Sequence, residues 1–439
     1  MLERWFALTA QRTTVRTEVV AGVTTFLTMA YIIFVQPAVL SAAGMDFGAV
    51  LTATCLSTAF ATTLMALLAN YPIAVAPAMG HNFFFAFSVV LAMKVPWRIA
   101  LGGVAVAGLI FVATAGVGLR ERLITAIPAS LKHAIAAGIG LLIAAIGLQW
   151  AGLIVASPGT LVTLGDLHTR APLLALGSLA LTAVLMARRI PGAFLWGILA
   201  TTVVALPLGI VRVNGVIGQP PSLAPTFLQL DIRGAFAPGM IAVVFVFFFL
   251  ALFDSVGTLV AVGSQAGLMR GGTLPRARQA LLADAIGTVA GAALGTSTVT
   301  AYIESGAGVA AGGRTGLTSL VVAALFLLSL FFYPLVRGIG GGYAVGTTTL
   351  YPVIAAPLIL VGTMMIGGLR EVDWNDPTEA IPAFLTVVMM PLAVSITEGV
   401  AFGLIAYAAL KLASGRCRDA HALVYVFAVL LLARYVFLR

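Results

Sequence analysis

Apolar runs long enough to form helices recur along nearly the whole 439-residue chain, and no polar stretch between them is long enough to hold a soluble domain. They fall near 20–43, 49–70, 74–93, 99–117, 130–154, 172–187 and 191–211, and again near 238–263, 277–295, 298–312, 315–335, 343–367, 378–395 and 397–413. A membrane-spanning helix takes about 20 apolar residues, so this pattern predicts about 14 spans and little else. Charged residues make up 9% of the chain, against about 25% in ordinary soluble proteins. A cytosolic enzyme is therefore excluded. The net charge of +9, which in a soluble protein would point to nucleic acid, here has to be read by its placement between spans. Cys55 and Cys417 are far apart and match no metal spacing, so neither a disulfide framework nor a cysteine metal site is expected. The basic stretch from Met1 to Arg16 leads into an apolar run without a cleavage signal, so a removable signal peptide is not expected.

The longest polar connection, Val211 to Gly234, contains Asn214, Gln219, Pro220, Pro221 and Pro225 and divides the runs into two sets of seven. With the amino terminus in the cytoplasm, Arg4, Arg12, Arg16, Arg120, Arg122, Lys132, Arg188, Arg189, Arg270, Arg276, Arg278, Arg314, Arg370, Lys411, Arg416 and Arg418 face inward. Only Lys94, Arg98, Arg170, Arg212, Arg233 and Arg337 face outward. That asymmetry obeys the positive-inside rule. Because seven is odd, the second set enters the membrane in the opposite sense, as in an inverted-topology repeat. The apolar segment from Ala422 to Leu438 stands outside this count, and either lies in the interface or adds a span.

The third run of each set is irregular. Tyr71-Pro72-Ile73-Ala74-Val75-Ala76-Pro77 is proline-broken and β-branched before the apolar stretch Phe83 to Leu91, and Gly295-Thr296-Ser297-Thr298-Val299-Thr300 is small and β-branched before Ala301 to Ala311. Extended chain followed by half-helix is predicted in both; loops outside the membrane are the alternative, and their low polarity opposes it. Paired interrupted segments point to a transporter's binding site, because freed backbone groups then face a mid-membrane cavity. Asn82 and Glu304 follow these breaks. Asp254, Asp284 and Glu304 lie within apolar runs, where an uncompensated carboxylate costs about 2.5–3.5 kcal/mol, so each needs a partner or a wet cavity. Ala251, Asp254, Ser255 and Thr258 follow helical spacing. The hydroxyls of Thr24, Thr25 and Thr28 offer these acids a purely structural bond, which is the competing explanation. Near the start of a half-helix, Glu304 would have its charge set by what occupies the cavity, as a proton-coupled carrier requires.

Several longer stretches resemble purine permeases: Thr17-Glu18, Ala21 to Ile32, Asn70-Tyr71-Pro72, Phe253-Asp254-Ser255-Val256-Gly257-Thr258-Leu259, Tyr302-Ile303-Glu304-Ser305, Gly312 to Thr318 and Ile381 to Thr386. Their order and span identify the chain as similar to the adenine, guanine and hypoxanthine branch of the nucleobase–cation symporter 2 group. The resemblance implies an all-α polytopic membrane protein with a uracil-permease-like fold. Its 14 transmembrane segments would form two inverted repeats of seven, with short extended stretches in spans 3 and 10. It implies a core domain, 1–117 and 236–336, and a gate domain, 118–211 and 337–418, with an external connection at 212–235 and a terminal segment at 419–439. It further implies import of a purine such as adenine, guanine, hypoxanthine or xanthine by proton symport across a bacterial-type inner membrane. No cofactor or metal is expected, sodium coupling stays open, membrane lipid and a nucleobase are the partners without nucleic acid, and relatives suggest a homodimer.

By the same resemblance Glu304 looks like the family's essential tenth-span acid that binds the base ring. Asp284 looks like the ninth-span acid, Asn82 like the third-span amide and Asp254 like the aspartate of the eighth-span Phe-Asp motif. The substrate set is then Glu304, Asn82, Asp254, Ala251, His81, Phe83, Thr28 and Ser305, and the proton-coupling set Glu304, Asp284 and Asp254. A carboxylate and an amide can together read one edge of a purine, and Phe83 can stack on its face. The chain departs from the family where specificity would be set: Ala251 stands where an acid is usual, Ala78, His81 and Phe83 replace Gly, Leu and Ala, and Gln36-Pro37 replaces Asn-Pro. Asp254, or His81 with Asn82, is expected to replace the missing acid in part. A hydrolase is opposed by the lack of any His-Glu-x-x-His or Gly-x-Ser-x-Gly. A carrier or channel of the same fold for a small anion is the remaining alternative, which Glu304 opposes.

Overall fold

The computed structural model describes residues 2–117, 128–269, 274–346 and 348–437; the inward-facing assignments of Arg120, Arg122 and Arg270 lie outside them. Among these residues eight helices are long and apolar enough to cross a membrane, and shorter apolar helices accompany them. Their outer faces carry exposed large apolar side chains, such as Val19, Val20 and Val23 on one helix and Leu173, Leu176 and Val184 on another. Apolar faces so extensive suit lipid and not water.

The first apolar run is two helices, α2 (Val15–Met29) and α3 (Ile32–Ala42), after a short amino-terminal α1 (Leu2–Phe6). The break falls at Ala30-Tyr31, and Pro37 inside α3 removes one backbone donor. Helix α4 (Phe47–Leu64) is capped by Asp46, whose side chain accepts from the Ala49 N–H, and it widens into a π-helical turn over Met65–Ala69. Asn70 then turns the chain in the left-handed conformation. Strand β1 (Val75–Pro77) follows, then α5 (Met79–Phe83), which continues as a π-helix over Phe84–Ala92. In the second half, β4 (Val299–Ala301) precedes the short α12 (Ser305–Ala310). The extended-then-helical form expected of both irregular runs is thus present. The second helix begins four residues later than the sequence suggests, because a turn through Tyr302 and Ile303 intervenes and Glu304 becomes its N-cap.

The two strands pair antiparallel, with Val75 opposite Ala301, Ala76 opposite Thr300 and Pro77 opposite Val299. All six residues are buried. Two isolated strands inside a helical body satisfy through each other the backbone groups that a continuous helix would satisfy internally. Proline at position 77 is compatible with this because only one edge of each strand is paired.

Further helices are α6 (Trp97–Val117), α7 (Ala129–Trp150), α8 (Arg170–Ala187), α9 (Ala193–Ala205), α10 (Met240–Gln265), α11 (Ala277–Leu294), α13 (Gly316–Ser329), α14 (Tyr333–Gly340), α15 (Ala355–Ile366), α16 (Pro377–Ala393), α17 (Ile396–Ala413) and α18 (Ala422–Phe437). Hairpins β2–β3 (Ile154–Ser157 and Leu161–Leu164) and β5–β6 (Tyr343–Val345 and Thr348–Leu350) are separate two-stranded sheets, both in contact with α7. Packing divides the helices: α11 lies on α4 and α6, and α13 on α2 and α4, whereas α7 lies on α15 and α16, and α16 on α17. Fewer contacts join the two groups, among them Tyr31 against Phe194 at 5.1 Å and Phe83 against Trp150 at 6.5 Å. The terminal α18 packs on α17 and also touches α10, through Phe427 against Phe245 at 4.6 Å.

Small residues set the closest approaches. A Cβ on Gly308 of α12 would stand 2.0 Å from Thr25 Oγ1 and 2.6 Å from the Ala21 carbonyl oxygen, so only glycine lets α12 lie on α2.

Candidate functional site

Glu304 is the N-cap of α12, directly after the strand crossing, and its carboxylate is half-buried. Tyr31, held at the break between α2 and α3, donates its hydroxyl to Glu304 Oε1 at 3.0 Å. Thr28 Oγ1 lies 2.7 Å from the Thr25 carbonyl and 3.4 Å from that of Glu304, so its hydroxyl serves mainly its own helix. Two cavities meet at Glu304. One of about 510 Å³ is lined by Thr24, Thr28, Arg189, Phe194, Gln265 and Glu304, among others. The second, about 130 Å³, is lined by Tyr31, Met79, Asp254, Thr258, Thr300 and Glu304, with Met364 and Met365 of α15 opposite. The larger volume is within the range of small-molecule sites.

Asp254 projects from α10 into the smaller cavity, exposed there, and accepts a hydrogen bond from Thr300 Oγ1 of β4 at 3.0 Å. The α10 helix and the strand crossing therefore bring Asp254 and Glu304 to one cavity, which meets the need of carboxylates stranded in apolar runs. Asp284 takes a different place. It is fully buried on α11 and accepts a hydrogen bond from Ser255, whose hydroxyl also reaches the Ala251 carbonyl at 2.6 Å. Asp254 and Ser255, neighbours on α10, thus point to different surroundings, one to the cavity and one to the α10–α11 contact. Ala251 is buried and is not among the residues lining either cavity.

Asn82 is buried, and its carbonyl oxygen accepts from Gln36 Nε2 at 3.1 Å and from the Ser297 hydroxyl. Gln36 also donates to Thr296 Oγ1 at 2.9 Å. These bonds tie α3 to both irregular segments behind the cavity wall. Ser305 has a similar part: its hydroxyl accepts from the Ala74 N–H at 3.0 Å, locking α12 to the start of β1. Phe83 is fully buried and stacks on Phe87 with centroids 5.5 Å apart, beside Trp150, so its ring meets other aromatics and lines neither cavity. His81 is buried, and its Nε2 has no hydrogen-bond partner among the described residues.

Sequence reasoning placed Glu18, Tyr31 and Tyr302 only within motifs of the family resemblance and Gln36 only among the departures from it, and gave none of them a role of its own. Tyr302 donates its hydroxyl to the Pro77 carbonyl at 2.5 Å, bracing the strand crossing. Glu18 is fully buried and accepts from the N–H groups of Arg314 (3.0 Å), Thr315 (3.2 Å) and Thr318 (3.3 Å) and from the hydroxyls of Thr315 and Thr318 (2.8 and 2.6 Å). Its charge thus sits at the positive end of α13. The available signal for Glu18 was an acid near the edge of an apolar run; for Tyr31 and Gln36 it was a polar tip inside one. Among the described residues no cluster of three or more His, Cys, Asp or Glu is placed to hold a metal.

The chain is similar to known proteins along its whole length. The putative permease MJ0326 of Methanocaldococcus jannaschii is 50% identical over 439 residues, covering 100% of this chain and 98% of the relative. The adenine permease AdeP of Escherichia coli is 46% identical, covering 100% and 96%, and the guanine/hypoxanthine permease PbuG of Bacillus subtilis is 45% identical, covering 100% of both. In fold the chain resembles the transmembrane domain of a cyanobacterium bicarbonate transporter, BicA, with a TM-score of 0.64 at 18% identity over 88% of this chain and 97% of that one. It also resembles SLC26A9, with a TM-score of 0.62 at 13% identity over 91% and 65%. The family model Xan_ur_permease, described as Permease family, matches residues 16–402. With its apolar helices, its paired strands between half-helices and this match over most of its length, the chain belongs to the Permease family, as a membrane-embedded permease and not an enzyme.

Proposed function

We propose that this protein imports a purine nucleobase by proton symport with alternating access, the base lying between Glu304 and Asp254. The observation that carries this reading is the position of Glu304: it belongs to both cavities, caps a half-helix beside the strand crossing, and is bonded by Tyr31 of the first run. A purine offers ring N–H donors and ring-nitrogen or carbonyl acceptors. Carboxylates accept the former, while Thr258 and backbone groups near Gly80 and Ala301 can serve the latter. The names of the relatives, adenine and guanine/hypoxanthine permeases, support the substrate class. Two carboxylates lining one cavity weigh against a small anion as cargo.

The 14-span arrangement in two inverted repeats is part of the proposal. It is supported by the matched pair β1–α5 and β4–α12, each a strand followed by a helix, running antiparallel to one another. The division into a core, 1–117 and 236–336, and a gate, 118–211 and 337–418, is supported by the packing of α2, α4, α6, α11 and α13 apart from α7, α15, α16 and α17. With the amino terminus cytoplasmic in a bacterial-type inner membrane, Arg189, which lines the larger cavity, belongs to the inward-facing set, and this supports an inward-facing conformation. Gln36, Asn82 and Ser305 are then positioning residues that hold the half-helices in place. Asp284, bonded by Ser255 next to Asp254, passes changes at the cavity to α11. A homodimer, which the family resemblance suggests, completes the proposal.

The test is uptake of radiolabelled adenine, guanine, hypoxanthine and xanthine by a strain lacking its own purine carriers. Expression should confer accumulation of at least one base that a proton ionophore abolishes, and Glu304→Gln should abolish it while the protein still inserts. Accumulation by Glu304→Gln equal to wild type removes Glu304 as the coupling group. Uptake that survives the ionophore but needs sodium overturns proton coupling, and bicarbonate or sulfate uptake without any purine uptake overturns the substrate class.

A further inference from the structure

A third cavity, of about 600 Å³, lies apart from the acids and is lined by Arg212, Asn214, Tyr333, Arg337 and Tyr343 together with several glycines. Helix α9 separates it from the Glu304 cavities: Gly192, the N-cap of α9, lines the 510 Å³ cavity, and Gly209, beyond its carboxyl end, lines this one. Thirteen residues at a rise of 1.5 Å put these ends about 20 Å apart. The lining contains two guanidiniums and no carboxylate. Among the described residues neither Arg212 nor Arg337 lies within 4.0 Å of a carboxylate oxygen. Arg337 rests over the Phe47 ring at 4.8 Å, and the neighbouring Asp46 is committed to the Ala49 N–H at 2.7 Å.

Packing brings together the segments that carry the two arginines. A Cβ on Gly338 of α14 would meet the Arg212 carbonyl oxygen at 2.6 Å, so glycine there lets the strand of chain carrying Arg212 lie directly on the helix carrying Arg337. Two cations lining one cavity without a carboxylate within 4.0 Å leave its positive charge uncompensated by the protein, an arrangement that an anion in the cavity relieves. Guanidiniums bind phosphate oxygens in bidentate fashion, and the hydroxyls of Tyr333 and Tyr343 and the amide of Asn214 add neutral donors.

We propose that this cavity binds a phosphate group, supplied either by the headgroup of an anionic phospholipid or by a free phosphate. The site is independent of the nucleobase reading. It is tested on the purified full-length protein in neutral detergent, by native mass spectrometry with added phosphatidylglycerol or phosphatidylcholine and by thermal-shift titration with inorganic phosphate. The protein should retain phosphatidylglycerol at least tenfold more tightly than phosphatidylcholine, or be stabilised by inorganic phosphate; the first outcome assigns the lipid as source and the second the free ion. Arg212→Gln with Arg337→Gln should weaken the binding at least tenfold, and so should Ala344→Trp, which fills the cavity and leaves both cations. Arg233→Gln, outside the cavity, should leave it unchanged. Binding that the paired arginine substitution leaves intact, equal retention of both lipids without a phosphate shift, or equal loss with Arg233→Gln overturns the proposal.

Discussion

Replacing Glu18 by alanine should destabilise the protein more than any neutral substitution on the outer face of α2. The carboxylate is fully buried, so water cannot take its place. Thr318 N–H keeps a second acceptor, the Thr315 carbonyl at 3.2 Å, and hydroxyl donors can rotate, but the N–H groups of Arg314 and Thr315 lose the acceptor they have. Each orphaned donor costs about 1–3 kcal/mol, so the substitution removes about 2–6 kcal/mol before any loss of interaction with the α13 dipole. Glutamine can keep an oxygen at the Oε2 position, which serves Thr315 and Thr318, and gives up the Arg314 bond and the charge, about 1–3 kcal/mol. With an unfolding entropy of about 2.1 cal/mol/K per residue, 439 residues convert these losses to falls in melting temperature of about 2–6 °C for Glu18→Ala and about 1–3 °C for Glu18→Gln. Thermal unfolding followed by tryptophan fluorescence in one detergent measures both. A Glu18→Ala protein melting within 1 °C of wild type, or a Glu18→Gln protein no more stable than Glu18→Ala, refutes the reasoning.

Other substitutions probe the cavity and the helix contacts. Tyr31→Phe removes the hydroxyl donor to Glu304; a bond to a charged group is worth about 1.5–3 kcal/mol, so KM for the transported base should rise about tenfold or more at normal surface expression, and an unchanged KM would detach Tyr31 from the site. Gly308→Val drives a side chain into Thr25 and the Ala21 backbone and should cost about 1–3 kcal/mol. Thr25→Ala in the same chain relieves the side-chain clash alone, so only partial recovery of the melting temperature is expected; full recovery would mean that the backbone approach is not limiting. Lys411, whose side chain is 1% exposed, pairs with Glu379 at 2.7 Å, and Glu379 also accepts from Tyr407 and Ser130. Lys411→Met removes the counter-ion of Glu379, which is 20% exposed and keeps its bonds from Tyr407 and Ser130, so the loss should stay below the ~3–5 kcal/mol of a fully buried broken pair, and adding Glu379→Gln should restore part of it; strictly additive losses in the double variant would show that the pair is not coupled.

Membrane embedding, most of the apolar runs that become helices and the breaks in the third run of each set were legible in the sequence, because each depends on local composition; the break at Ala30-Tyr31 in the first run and the β5–β6 hairpin opening the run near 343–367 were not. A run of about 20 apolar residues has one use, and prolines 72 and 77, or small and β-branched residues after Gly295, deny a helix its continuity wherever the chain later packs. The three acids in apolar runs were legible for the same reason: a carboxylate there requires an explanation. Their division of labour was not. Asp254, Ser255 and Asp284 look alike as polar points on helices, and only the packing of α10 against β4 on one side and α11 on the other sends Asp254 to a cavity and Asp284 to a buried serine. Phe83 reads as a stacking ring from its place beside Asn82, but the approach of α7 brings Trp150 against it and closes it off.

Residues separated by hundreds of positions carry the rest. Tyr31 and Glu304, Gln36 and Thr296, Ser305 and Ala74, and Glu18 and Thr315 meet because the two halves of the chain interlock at the β1–β4 pair. Hydrogen bonds are short-ranged and directional, so composition, periodicity and spacing can announce that a polar group in an apolar run needs a partner, but not which one. The sequence by itself determined that this chain lives in a membrane, where its two irregular runs are interrupted and which acids are anomalous, since these follow from local composition and the cost of exposing polar groups to lipid. The tertiary structure alone decided which of those acids face a cavity and which are held in the core, since that depends on where distant segments place their few polar atoms.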